Sequence, residues 1–323
     1  VPLTLLQIVQ RAQAELGLPQ ASTVVGNTDP TTVQMLALAN RCLDELRRMP
    51  EGGWTVLQFE YNLVVNPPIQ TTGDLGANSA VITNVPSTSG ILANYFTVQG
   101  PSIPQAARVQ SVDSATQVTM TMEVADASPQ VGSALTFAQD TYPIPGGFDW
   151  FQNRTMWDRT NRWELLGPDS PQMDQWHRSG IVATGPRRHF RKIGPYADQF
   201  RIWPPPVEIV NPLQLVFEYM TLYGVMVHGS NSTFAQYFAN DDDQPLLDDQ
   251  AIIMGIKWMF WEIKGFGSYV TLQNRWVDYV DRLIARDGAS KTLSLNKRVD
   301  PIFLSPSNVQ DGFFPGPVGP NTG

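Results

Sequence analysis

The chain carries one cysteine, Cys42, so no intrachain disulfide can form and no cysteine-based metal cluster is available. Cys42 falls on an apolar helical stripe with Met35, Ala39 and Leu46, which reads it as a small buried hydrophobe and not as a redox centre. Histidine is almost as scarce. His177, His189 and His228 stand apart, with no paired HxxxH spacing and no cysteine neighbour, so surface or capping roles are expected of them and no metal site is. No apolar run approaches the ~18 residues of a membrane span, and the first residues lack the basic and apolar regions of a secretion signal. The expectation is a soluble, intracellularly made protein with no membrane partner. Basic residues are outnumbered 22 to 30, for a net charge of −8. Affinity for phosphate backbones comes from Lys and Arg, so tight non-specific binding of DNA over the whole surface is disfavoured.

Catalytic signatures are thin as well. Gly265-Phe266-Gly267 has neither the preceding strand nor the third glycine of a nucleotide loop, and reads as a corner. A glycoside hydrolase needs two carboxylates roughly 5–10 Å apart in a cleft, and nothing in the sequence nominates a pair. Asp241, Asp242, Asp243, Asp248 and Asp249 lack the alternating ligands and the glycine of a calcium loop, so a solvated, helix-capping loop is the simpler reading. No cofactor and no enzymatic activity are expected.

With 323 residues and 42% hydrophobic side chains, the chain can supply more than one core. Leu5, Val9, Ala12 and Leu16 recur at helical spacing until Gly17 and Pro19 stop them. Asp29 as N-cap and Pro30 at the first helical position open a second helix, which ends before Pro50. Alternation from Trp54 to Val65 predicts a strand. Residues 67–140 then turn rich in Thr, Ser, Val and Gly, with Arg108 as their one basic residue, and their short alternating runs predict an all-β module. Further strands are expected at 190–193, 200–204 and 213–219. Helices return at Leu247, with Asp248 or Asp249 as cap, and a last helix turns Trp276, Val280 and Leu283 inward. The fold class is α+β: a helical bundle main domain (1–66 and 141–288) with attached antiparallel strands, an inserted β-module (67–140) and an extended C-terminal arm (289–323).

The most informative stretch runs from Tyr142 to Trp176. Trp150, Trp157, Trp163 and Trp176 interleave there with Arg154, Arg159 and Arg162, and Arg178 follows. Arg and Trp are favoured anchors of protein interfaces, so Arg154, Trp157, Arg159, Arg162, Trp163 and Trp176 are the candidate subunit or partner contacts. The near-helical spacing of Trp150, Trp157 and Trp163 also allows Trp157 simply to be buried. The aromatic groups could alternatively form a sugar platform. Asp149, Asp158, Glu164, Asp169 and Asp174 lie nearby and can pair with the arginines within or between subunits; pairing between subunits is preferred here over DNA contact by Arg187, Arg188, Arg191 and Lys192.

Specific motifs accompany this pattern: Tyr142-Pro143-x-Pro145-x-x-Phe148, Trp157-Asp158-Arg159-Thr160-Asn161-Arg162-Trp163, Gly167-Pro168-x-Ser170-Pro171 followed by Trp176, Ser179-Gly180-Ile181, and Gly185-Pro186-Arg187-Arg188. With the opening from Leu3 to Pro19 and the block from Lys257 to Trp261 followed by Arg286-Asp287-Gly288, they resemble the head-to-tail adaptor proteins of short-tailed bacteriophages. The resemblance covers residues 2–66 and 141–288. Gly73-Asp74-Leu75, Ser79 to Thr83, Val112 to Thr119 and Ala134 to Phe137 resemble a small β-module inserted in phage virion proteins.

The resemblance implies a structural virion protein at the head-to-tail interface, a ring of twelve copies that joins the portal protein to a tail tube or nozzle protein, with tail fibres or spikes as further partners and double-stranded DNA in transient passage. The terminal arm is rich in Pro, Gly, Ser and Asn yet spaced with Ile302, Phe303, Leu304, Phe313 and Phe314. Such an arm orders on a partner, and the resemblance makes that partner the portal. Asp241, Asp242 and Asp243 are candidates to line an acidic channel. The competing class is a glycan-binding or cell-wall-degrading tail protein.

Overall fold

The structure is a computed structural model that describes residues 2–179, 188–194, 198–207, 209–230 and 232–287. The expected C-terminal arm, with Ile302, Phe303, Leu304, Phe313 and Phe314, lies outside the described residues, as does Arg187. Among the described residues five α-helices occur together with antiparallel sheets, an α+β fold. They are α1 (Leu5–Leu16), α2 (Pro30–Arg48), α3 (Pro171–Arg178), α4 (Asp249–Lys264) and α5 (Tyr269–Asp287). No helix among these residues is long and apolar enough to cross a membrane.

The chain divides into two compact units. The first takes in described residues from 2–59, 146–151 and 219–287 and contains α1, α2, α4 and α5. Its helix ends are written in the sequence. Thr4 and Gln7 cap α1 reciprocally, each side chain accepting the other's backbone N–H. Asp29 accepts the Thr32 N–H at 2.9 Å to start α2, with Pro30 at its first position, and Asp248 accepts the Ala251 N–H at 2.9 Å to start α4. Gly17 and Gly265 close α1 and α4 in the left-handed conformation (φ 71° and 76°), which costs glycine no Cβ clash.

Between these ends the apolar stripes meet in one core. Leu5, Ile8, Val9 and Ala12 of α1, Met35, Ala39, Cys42 and Leu46 of α2, Ile252, Ile256 and Met259 of α4, and Trp276 and Val280 of α5 are all buried there. The indole of Trp276 donates to the Ala251 carbonyl at 2.9 Å, so its one polar atom is satisfied within the core. The strand expected from Trp54 starts later, at Gln58. Trp54 is drawn into the helical core, its Nε1 donating to Leu46 O at 2.7 Å, and Thr55–Leu57 form a 3-10 turn before the strand Gln58–Val65.

The second unit takes in described residues from 60–145 and 152–218. The segment 141–288, expected as one piece, is thus divided between the units. Six strands form an antiparallel sheet in the order Phe96–Gln99, Gln130–Gln139, Ile69–Leu75, Val81–Thr83, Gln117–Met120, Val109–Ser114. Leu75, Ile82, Val98, Val109, Val118, Leu135 and Phe137 bury a core of their own against it. A three-stranded sheet orders His189–Ile193, Gln199–Trp203 and Thr141–Pro143. A short hairpin, Trp157–Asp158 with Trp163–Glu164, pairs with the strand Leu213–Thr221 at Val216 and Leu215. The tryptophan spacing that looked helical is therefore extended chain: Trp157 and Trp163 face each other's neighbours across a hairpin, and Trp150 lies on the strand Phe148–Phe151.

Candidate assembly surface

Asp158 builds the hairpin that presents the Trp and Arg side chains. Its Oδ1 accepts the backbone N–H groups of Thr160 and Asn161 at 2.9 and 3.0 Å, and its Oδ2 accepts from Asn161 Nδ2 at 2.8 Å, folding the four-residue turn Arg159 to Arg162. Arg162 closes that turn at φ 61° and is exposed, and Arg154 before the hairpin sits at φ 64°. Arg154 is 77% exposed and Arg159 is 59% exposed. Arg154 Nε reaches Glu164 Oε1 at 3.4 Å, and Arg159 Nη2 reaches Glu60 Oε2 at 2.9 Å. Trp157 is half-buried, its Nε1 donating to Arg154 O at 3.2 Å, whereas Trp163 and Trp176 are 39% and 48% exposed. Five of the six residues singled out in the sequence thus stand at the surface, and Trp157 is half-buried.

Trp176 is carried by α3, a helix absent from the sequence reading. Its signal was present in Ser170-Pro171: Ser170 accepts the Met173 N–H at 3.2 Å as N-cap, and Pro171 occupies the first turn.

Of the acidic residues that could pair within or between subunits, Asp158, Glu164 and Asp174 are engaged within the chain. Glu164 holds Arg154; Asp158 lies 3.9 Å from Arg188; Asp174 accepts Arg191 Nη1 at 3.0 Å and stands 3.9 Å from both Arg178 and Arg201. Asp140, fully buried, meets Arg108 Nη1 at 3.0 Å. Burial, and then the neighbouring Arg108 charge, push the Arg201 guanidinium down to about 10, and burial raises the Asp140 carboxyl against the pull of Arg108 and Arg201. Arg108, isolated in the sequence of the β-module, therefore serves a buried ion pair. Arg188 and Arg191, offered as part of a basic group, neutralise carboxylates of the same chain.

One residue of the acidic loop departs from the channel-lining expectation. Asp243 is fully buried and accepts backbone N–H groups from His228, Ala239 and Asn240 at 3.1, 2.9 and 2.8 Å. Burial opposes its ionisation, yet these bonds together hold its carboxyl below the usual range. Asp241 accepts from Val24 and Val25 N–H groups, the nearest at 2.7 Å. Only Asp242 of the three is exposed. Asp243 consequently lines no surface of this chain, because a carboxylate placed to satisfy buried backbone donors cannot also face a channel.

The histidines contradict their scattering in sequence. The ring centroids of His177 and His189 stand 4.2 Å apart, with Asp169 against both: Oδ2 is 3.7 Å from His177 Nε2 and 3.3 Å from His189 Nδ1. Nothing in the spacing of 169, 177 and 189 announces this, since the three come from a loop, a helix and a strand.

Comparison with protein-family models and with curated proteins gave no match.

Proposed function

We propose that the chain is a structural, non-enzymatic virion protein, a head-to-tail adaptor that assembles as a ring between portal and tail and extends the DNA channel. Its main domain is a helical bundle that carries an inserted β-module. One observation carries the reading: the motif residues that resemble the adaptors of short-tailed phages include Arg159, Arg162, Trp163 and Trp176, all exposed, and Arg154, also exposed, stands just before them in sequence. Large aromatic groups beside Arg, held on a tightly capped hairpin and a capped helix, are the side chains that anchor interfaces when a second surface covers them. A ring buries the same two surfaces in every copy, so one such surface, repeated, supplies one side of every subunit contact. The C-terminal segment with Ile302, Phe303, Leu304, Phe313 and Phe314 is the proposed portal-docking arm.

The test combines Arg159→Ala, Arg162→Gly and Trp163→Ala in one variant. Exposed ion pairs such as Arg159 with Glu60 contribute at most about 1 kcal/mol, and glycine accepts the left-handed turn position of Arg162, so the monomer stays folded. The variant is expected to lose ring formation or attachment to portal rings in sedimentation and electron microscopy. Intact attachment would remove this surface from the account, and selective loss of oligosaccharide binding instead would favour the glycan-binding alternative.

A further inference from the structure

We propose that Asp169, His177 and His189 form a binding site for a divalent transition-metal cation of the zinc class. The site is built by elements that have other reasons to be where they are. Asp169 N–H donates to Phe190 O at 2.8 Å and Phe190 N–H to Leu166 O at 2.9 Å, which fastens the loop before α3 to the strand bearing His189. Ser170 then starts α3, and Trp203 Nε1 donates to His177 O at 3.2 Å in its last turn. Three donor atoms, one from each residue, thereby fall within 4.8 Å of one another.

The separations suit a metal. A tetrahedral ion bound at about 2.0–2.2 Å by nitrogen and oxygen requires its donors to stand about 3.4 Å apart. Oδ2 of Asp169 is 3.3 Å from His189 Nδ1 and 3.7 Å from His177 Nε2, so small side-chain rotations complete the geometry. Two imidazoles and one carboxylate match zinc, cobalt or iron(II), whereas magnesium and calcium prefer oxygen throughout.

A second observation points to a ligand independently. His177 is more than nine-tenths buried, and both of its ring nitrogens are buried without a hydrogen-bond partner among the described residues. An imidazole left so forfeits its hydration with no return. A cation on Nε2 removes that loss at one of the two nitrogens, and it also accounts for two imidazole rings being held at 4.2 Å beside one carboxylate. The ion would staple the loop, α3 and the strand His189–Ile193 together, next to exposed Trp176, whose ring centroid lies 5.3 Å from that of His177. With three protein donors, a fourth position remains for water or an incoming anionic group.

The experiment titrates zinc chloride into chelator-treated full-length protein by calorimetry and records the visible spectrum of the cobalt(II) form. Binding of one ion per chain is expected, with a tetrahedral-type cobalt spectrum and a rise in Tm of about 5 °C at a hundredfold excess over Kd. His177→Ala and His189→Ala should each weaken affinity about a hundredfold, at or beyond the top of the 10- to 100-fold range carried by outer-shell partners. His228→Ala, at an exposed position, should leave it unchanged. Should the variants misfold, X-ray absorption of the zinc-loaded native protein decides, since the site predicts outer-shell scattering from two imidazoles. Absence of saturable binding, binding retained by both variants, or a zinc spectrum without imidazole would each overturn the proposal.

Discussion

A Cβ placed on Gly255 would lie 2.1 Å from the Sγ of Cys42, so α2 and α4 meet at a point where neither can gain an atom. The lone cysteine is thus a spacer chosen for size, and burial pushes its thiol pKa far up, away from thiolate chemistry. Gly255→Ala is expected to destabilise the protein by about 1–3 kcal/mol through overpacking. Cys42→Ala in the same chain should recover part of the loss by making room. Chemical denaturation reads both, and an unaffected Gly255→Ala variant would contradict the helix contact.

Asp243 organises its loop by accepting from three backbone N–H groups, and its removal leaves buried donors unpaired. Asp243→Ala should cost about 2–4 kcal/mol. The folded carboxyl titrates below the ordinary value of about 3.9, so the folded state holds fewer protons than the unfolded chain in that window. Its contribution is complete above the ordinary value and is lost as pH falls through the lower folded value. Stability of the native protein should therefore drop more steeply with acid, between the ordinary value and the lower folded one, than stability of Asp243→Asn. Parallel acid profiles for the two would contradict the assignment.

The strands from Ile69 to Gln139 bury their own core, which makes a deletion informative. Removing residues 70–138 and closing the ends with a short Gly and Ser linker should leave the first unit, with its own helical core, folded and soluble. Circular dichroism with a cooperative thermal transition checks this. Arg108 and Asp140 are the point of risk, because Asp140 would keep Arg201 at 3.8 Å but lose Arg108. Global unfolding of the deletion variant would show that the strands cannot be separated from the rest.

The helices were legible because local chemistry and tertiary burial agree there. Asp29 with Pro30, Asp248, Gly17 and Gly265 stop and start helices where the sequence places them, and Trp276 and Val280 turn inward as their spacing demands. The strands 189–193, 199–203 and 213–221 were equally plain from alternation. Trp150, Trp157 and Trp163 misled by spacing alone: Asp158 captures the turn between the last two and converts a helical period into a hairpin. The acidic loop misled differently, since a run of aspartates looks solvated until its backbone donors are known. The cluster of Asp169, His177 and His189 was illegible because it is assembled by tertiary pairing, through Phe190 and Trp203.

The central claim is that this chain joins a portal ring through a surface of its own. The most direct measurement mixes the purified full-length protein with rings of the portal protein from the same virion and images the product by electron microscopy. The account predicts a second ring of twelve copies stacked on the portal, with Trp163 and Trp176 covered at contacts, and loss of that ring when the chain is truncated after Gly288. Portal rings that stay bare at saturating protein would contradict the adaptor reading outright.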